Sequence, residues 1–222
     1  MPALSDLSQQ NPSEQALLHP AGWNGRGFDP PLQLGVMASG NGSNFEAIEL
    51  AIRRGELSAT IRLLVVNNPG CGAQQRAERL GIPCGVVDHR VHRDRRELDR
   101  ELVRRFRDAG AEAIVMAGWM RIVTDDLIKA YPSRLVNIHP SLLPSFRGLD
   151  GVGQALQAGV QISGCTVHLV TEDLDAGPIV AQAAVPVMAD DTARSLAERI
   201  HREEHRLLPI ALMHIGQTWR QG

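Results

Sequence analysis

Residues 137–144 read Asn-Ile-His-Pro-Ser-Leu-Leu-Pro and follow the strand-like run Arg-Leu-Val at 134–136. On an extended backbone, side chains two apart point to the same side. Asn137 and His139 can therefore present a hydrogen-bond donor and a titratable group to one point. That pairing suits a reaction in which negative charge builds on an oxygen and a proton changes hands. Pro140 and Pro144 restrict the loop that follows, which favours preorganisation. A carboxylate beside His139 would orient the ring and favour its charged form. Asp173 and Asp175 are available in a connection that ends Asp-Ala-Gly-Pro at 175–178. The competing role for each is to cap its own turn.

A second constellation is Ser-Gly-Asn-Gly-Ser-Asn at 39–44, between a strand-like and a helix-like run. Gly40 and Gly42 allow positive φ and close approach of a ligand. Successive N–H groups at a helix start form an anion site suited to phosphate. The spacing is neither GxGxxG nor GxxxxGK(S/T), so a single phosphomonoester fits better than a dinucleotide or a triphosphate. The alternative is a plain tight turn with Ser43 or Asn44 as cap. After the apolar run 113–117 comes Gly-Trp-Met-Arg. Trp119 and Met120 could wall a ring pocket and Arg121 could meet a carboxylate, or the segment could simply pack in the core. His201, Glu204 and His205 share one helix face. Arg202 and Arg206 crowd them and no further ligand cluster is evident, so no metal is expected. The arginines at 93–107 alternate with acids, as solvated helix faces do.

These residues need a scaffold, and the pattern supplies one. Strand-like runs at 34–38, 60–66, 86–87, 113–117 and 135–138 alternate with helical patterns at 45–54, 73–80, 94–109 and 125–130, the last with Thr124 as N-cap. This alternation predicts a doubly wound, mostly parallel α/β sheet, with ligands beyond the carboxyl ends of its strands. The loops at 39–44, 117–121 and 137–144 then fall on one rim. A helix is expected at 151–158, although Gly153 weakens it. Runs at 166–171 and 179–187 have no helix between them and read as an antiparallel pair. A closing helix at 192–215 follows, capped by Asp190 or Asp191, and bent or ended early by Pro209. Residues 1–31 hold five prolines and no sustained period. They read as an irregular N-terminal extension that Trp23 and Phe28 could dock onto a single domain at 32–222.

Composition narrows the function classes. The chain has 222 residues, 43% hydrophobic but only 4% aromatic, with a formal net charge of −2. The core must be aliphatic, and no global basic field exists to hold nucleic acid or an anionic membrane. The three cysteines are widely spaced and fit a reduced, cytoplasmic setting. No stretch has the character of a signal peptide or a membrane span.

The motifs SGNGSN, AGWMRI, NIHPSLLP and TVHLVTEDLDAGP occur in this order over residues 34–215. Together they resemble the phosphoribosylglycinamide formyltransferases, the folate-dependent glycinamide ribonucleotide transformylases of the formyltransferase family. The resemblance implies 10-formyltetrahydrofolate as co-substrate, glycinamide ribonucleotide as acceptor, no metal, and a monomer or homodimer. It implies a catalytic trio of Asn137, His139 and Asp175. It implies an acceptor site at Gly42, Ser43, Asn44, His201 and Glu204, with His201 standing where relatives often carry Lys or Gln. It implies a folate site at Arg95, at Met120, Arg121, Ile122 and Val123, at Asn137, and at Thr171, Glu172, Asp173, Leu174 and Asp175. The Arg-Gly at 147–148 is also similar to methionyl-tRNA formyltransferases, which carry a further C-terminal domain. Formyltetrahydrofolate hydrolases are the alternative enzyme, and a non-catalytic phosphate-binding module is the alternative outside catalysis.

Overall fold

The computed structural model describes residues 17–20, 27–92 and 94–221. Eight strands form one sheet: β1 (Leu17–His19), β2 (Leu32–Ala38), β3 (Ala59–Val66), β4 (Cys84–Val86), β5 (Ala113–Met116), β6 (Leu135–His139), β7 (Ile162–Leu169) and β8 (Ile179–Pro186). Six helices accompany them: α1 (Ser43–Arg53), α2 (Gly72–Leu80), α3 (Arg95–Asp108), α4 (Asp125–Ala130), α5 (Gly151–Gln157) and α6 (Ala193–Gln221). The strand order is β1-β8-β7-β6-β5-β2-β3-β4. β6 through β4 run parallel, whereas β7, β8 and β1 are joined by antiparallel pairings. The expected mostly parallel sheet with an antiparallel hairpin and closing helix is thus observed.

Strand alternation divides the interior into two layers. Leu34, Val36 and Ala38 of β2, Ala113 and Val115 of β5, and Val136 and Ile138 of β6 face one cluster with α1, α2, α5 and α6. Met37, Ile114, Met116 and Leu135 face the other, with Leu98, Leu102 and Phe106 of α3 and Leu127 of α4. Gly35 has no Cβ because Phe106 lies over it: a Cβ there would sit 2.4 Å from the ring. By the same alternation Asn137 and His139 lie on the α3–α4 side. On that side, however, β6 beyond Leu135 and the facing positions of β7 and β8 carry a polar row, Asn137, His139, Thr166, His168 and Gln182. The buried second cluster contains no residue of β7 or β8. The polar row therefore lies beyond the helical cover.

The structure corrects several expectations. Within the N-terminal extension, read as mostly irregular, Leu17–His19 forms a short strand that pairs with β8. Phe28 does pack against the core, while Trp23 lies outside the described residues. Thr124 occupies the N-cap of α4 without a side-chain bond. α6 is capped by neither Asp190 nor Asp191. Thr192 Oγ1 accepts from Ser195 N (3.1 Å) and Ser195 Oγ accepts from Thr192 N (2.9 Å), a reciprocal cap. Pro209 neither ends nor visibly interrupts α6, which continues to Gln221. Leu207, Leu208, Ala211 and Leu212 around it are fully buried, and that burial outweighs the lost backbone bond. Gly153 supports α5, because Asp150 accepts from its N–H, and a Cβ there would lie 2.2 Å from the Asp150 carboxylate.

Candidate active site

A cavity of about 600 Å³ opens along the polar row. Segments 40–44, 116–123, 137–140, 148–150 and 170–175 border it, together with His168, His201 and Glu204. The three loops assigned to one rim are thus brought together. The loop at 39–44 and the loop after β5 are tied by Ser39 N to Gly118 O (3.0 Å) and by Met120 N to Ser39 Oγ (2.9 Å).

At one end of the cavity, Gly42 is the N-cap of α1 with φ +79° and no side-chain cap bond. The first helical bond is Glu46 N to Gly42 O, so the N–H groups of the first turn have no intrahelical partner. Gly42 is required twice: its φ is left-handed, and a Cβ would lie 2.6 Å from Ala73 Cα. Asn44 and Glu204 stand beside this turn. Asn44 Nδ2 donates to Glu204 Oε2 (2.9 Å), and Asn44 Oδ1 is buried without a partner. Burial pushes the Glu204 carboxyl up, against the opposing effects of the Asn44 bond and of His201 and His139. His201 Nε2 lies 3.9 Å from Glu204 Oε2. This end offers backbone donors to an anion and buried acceptors to hydroxyl or amine hydrogens.

At the centre, β6 and β7 run antiparallel with Asn137 opposite His168 and His139 opposite Thr166. His168 Nδ1 lies 3.0 Å from Leu169 O, so this nitrogen carries a proton. In the neutral ring Nε2 is then an acceptor, and Asn137 Nδ2 donates to it at 3.1 Å. His139 Nε2 donates to Phe146 O (2.8 Å), and its Nδ1 lies 3.5 Å from Asp175 Oδ2. Asp175 Oδ1 lies 3.5 Å from His168 Nε2. Asp175 is held at φ +49° and accepts from Gly148 N (2.8 Å), not from its own turn. Burial pushes its carboxyl up, but the adjacent imidazoles of His168 and His139 and the Gly148 hydrogen bond outweigh this and hold it below the usual carboxylate range. Asn137, His168, Asp175 and His139 thus form one connected polar chain.

The loop after β6 is fixed by more than its prolines. Thr166 Oγ1 donates to Ser141 O (2.7 Å) and accepts from Leu143 N (3.0 Å), and Ser141 Oγ donates to Ser145 O (2.6 Å). Gly151 leaves room for the ring of His139, whose Nε2 would lie 3.3 Å from a Cβ there.

The outer wall is apolar and open. Met120, Ile122, Leu149 and Leu174 are exposed there, while Trp119 is buried in the second core cluster with an edge on the cavity. Arg121, Val123, Thr171, Glu172 and Asp173 also border it. Arg95 does not: it opens α3, which packs on α4 and β3, and its charge acts on buried Asp99. Asp99 in turn accepts from Thr124 N and anchors the end of the 120–123 segment.

Sequence reasoning missed His168, the Phe146 carbonyl and the Gly148 N–H. His168 had a signal, since it stands two residues after Thr166 on an expected strand. Only the register with β6 makes it Asn137's partner.

Fold and site define a doubly wound α/β protein with a two-ended pocket: a helix start with backbone donors at one end, an apolar wall at the other, and an amide, two imidazoles and a carboxylate between them. The chain belongs to the formyl transferase family, whose sequence profile matches residues 32–212. It is 40% identical over 180 residues to the phosphoribosylglycinamide formyltransferase of Bacillus subtilis, covering 81% of this chain and 92% of that one. It is 39% identical over 184 residues to the human trifunctional purine biosynthetic protein adenosine-3, where 83% of this chain spans only 18% of the relative. Among solved structures, glycinamide ribonucleotide transformylase 1 from Symbiobacterium toebii superposes with a TM-score of 0.84 at 37% identity, covering 89% of this chain and 93% of that one. The Geobacillus kaustophilus transformylase gives 0.81 at 41%, covering 83% and 98%.

Proposed function

We propose that this protein is a phosphoribosylglycinamide formyltransferase of purine biosynthesis, which moves the formyl group of 10-formyltetrahydrofolate to the amine of glycinamide ribonucleotide. The observation that carries the reading is the polar chain Asn137–His168–Asp175–His139, set between a bare helix start and an apolar wall. The residues fit both substrates. The first turn of α1 takes the single phosphate, while Glu204 and Asn44 Oδ1 accept from ribose hydroxyls. The apolar wall and the 120–123 and 171–174 segments take the folate ring system. The folate supplies an activated formyl carbon.

The side chains then divide the work. Asn137 Nδ2 spends one N–H on His168 and directs the other to the formyl oxygen as charge develops there. His139, between Phe146 O and Asp175, adds positive charge when its second nitrogen is protonated. Asp175 balances that charge, orients the ring and positions a water that relays the proton from the attacking amine to the departing folate nitrogen. The partners are the two small substrates, and the protein acts as a monomer or homodimer. The free thiols of Cys71, Cys84 and Cys165 support a reducing cytoplasm. No helix among the described residues is long and apolar enough to cross a membrane.

The test is a spectroscopic assay of tetrahydrofolate formation with and without glycinamide ribonucleotide. Formation that depends on the acceptor supports the transferase. Formation at the same rate without it, with release of formate, establishes the hydrolase instead.

A further inference from the structure

The glycine loop at 40–44 has few internal bonds of its own, and its shape is imposed from α2. Ala73 N donates to Gly40 O (3.0 Å). Gly72 has no side chain because a Cβ would lie 2.8 Å from Asn41 O. One turn further along α2, Arg76 reaches back across the loop. Its Nε donates to Asn41 O (3.0 Å) and Oδ1 (3.2 Å), and its Nη2 donates to Asn41 Oδ1 (2.8 Å). Its Nη1 bonds Glu46, in the first turn of α1. One planar fork therefore clamps the residue before Gly42 and the turn after it. A point-charge donor on a flexible stem does not reproduce that geometry. Arg79 makes a useful contrast. It also carries the same charge and pairs with Glu46 through Nη2, but that bond touches no atom of the loop.

We propose that Arg76 is a positioning residue for acceptor binding: by fixing Asn41 it presets the N–H groups of the α1 start for the phosphate of the acceptor. The inference rests on the reading of that turn as the phosphate site. Arg76 touches no reacting atom, so its loss weakens the acceptor complex and leaves the chemical step intact.

The test compares Arg76→Met, Arg76→Lys and Arg79→Met in the formyl-transfer assay, with ribose 5-phosphate and ribose as competing probes. Arg76→Met is expected to raise KM for glycinamide ribonucleotide about tenfold, the low end for losing a hydrogen bond to a charged group. Its kcat and its KM for the folate stay within about twofold, a split that a general loss of structure does not produce. Arg76→Lys, the milder replacement should the Met variant fold poorly, shows a smaller rise of the same kind. Arg79→Met leaves KM unchanged. An equal rise in Arg79→Met overturns the proposal, because charge near Glu46 and not the shape of the loop would then be responsible. An unchanged KM in Arg76→Met overturns it as well. If ribose 5-phosphate competes no better than ribose with the unmodified protein, the phosphate reading itself falls, and Arg76 with it.

Discussion

Replacing Asn137 by Ala removes a donor that the structure leaves half used. One of its two amide hydrogens goes to His168 Nε2 at 3.1 Å, and no bond among the described residues takes the other, on a side chain that borders the cavity. A donor aimed at a developing oxyanion contributes about 2.7–4 kcal/mol, or roughly 10²–10³ in kcat. The cost in folding is much smaller. The Asn137–His168 bond is a neutral one, worth about 1 kcal/mol net, and water from the open cavity can replace its donor. KM for both substrates should stay near that of the unmodified protein, because the full negative charge exists only in the transition state. Asn137→Asp keeps the shape but places a negative acceptor, in place of the donor, where the oxyanion is to develop, so it should fall further than Asn137→Ala. The assay is tetrahydrofolate formation at saturating substrates, with a thermal denaturation curve for each variant. A kcat within threefold of the unmodified enzyme, or a loss carried wholly by KM, would refute the placing of Asn137 at the developing charge.

Asp175→Asn should lower kcat at least about 10²-fold, as for other acid–base residues, and should also change acid stability. The native carboxyl is held below its ordinary value, so its stabilising contribution is present above the unfolded value and is lost as pH falls through the native one. Melting curves between pH 6 and pH 2.5 should therefore fall less steeply for Asp175→Asn, which the left-handed backbone at 175 tolerates. Glu204→Gln should do the opposite at neutral pH. Burial raises the Glu204 carboxyl, so native stability falls as pH rises through that raised value. The amide removes this cost, and Tm at pH 7.5 should rise by about 2–4 °C per kcal/mol recovered. KM for the acceptor should rise at the same time, and a Tm lower than that of the parent would contradict the argument. Gly42→Ala combines a left-handed φ, which costs about 1–2 kcal/mol for a residue with a Cβ, with a 2.6 Å contact to backbone. It should lower Tm and raise acceptor KM while leaving the KM for the folate unchanged.

The parallel half of the sheet was legible because buried strands are continuous apolar runs closed by turn residues, and five of them alternate with helical periods. The rim rule then placed three loops correctly, since it needs only strand direction. Features defined by pairing were not legible. β7 begins at Ile162, four residues before the expected start, because Ser163 and Gly164 have no strand character until β8 lies opposite them. β1 is three residues long and exists only as a partner of β8. The site divides in the same way. Asn137, His139 and the glycine loop announce themselves by type and spacing. The Phe146 carbonyl and Gly148 N–H carry no side-chain signal, and His168 becomes meaningful only when the register sets it opposite Asn137. Arg95 was implied by resemblance alone, and the geometry places it on the α3–α4 surface.

The polar row explains why the candidate site lies on a sheet face and not only on its rim. On the α3–α4 side, Met37, Ile114, Met116 and Leu135 are buried under helices. The cover stops at β6, where the next positions are Asn137 and His139 and the neighbouring strand turns antiparallel. A parallel neighbour would have needed a crossover helix, and that helix would have packed over this face. The hairpin β7–β8 needs none. It leaves His168 beside Asn137, and its connection is free to return Asp175 to His139. The change from parallel to antiparallel pairing at β6 thus opens the cavity and supplies two of the four side chains in its polar chain. Loop 39–44, tied to the loop after β5 through Ser39, fixes the start of α1 relative to that chain. A site that must hold two substrates in register would draw that register from strand pairing and from the two hydrogen bonds of Ser39.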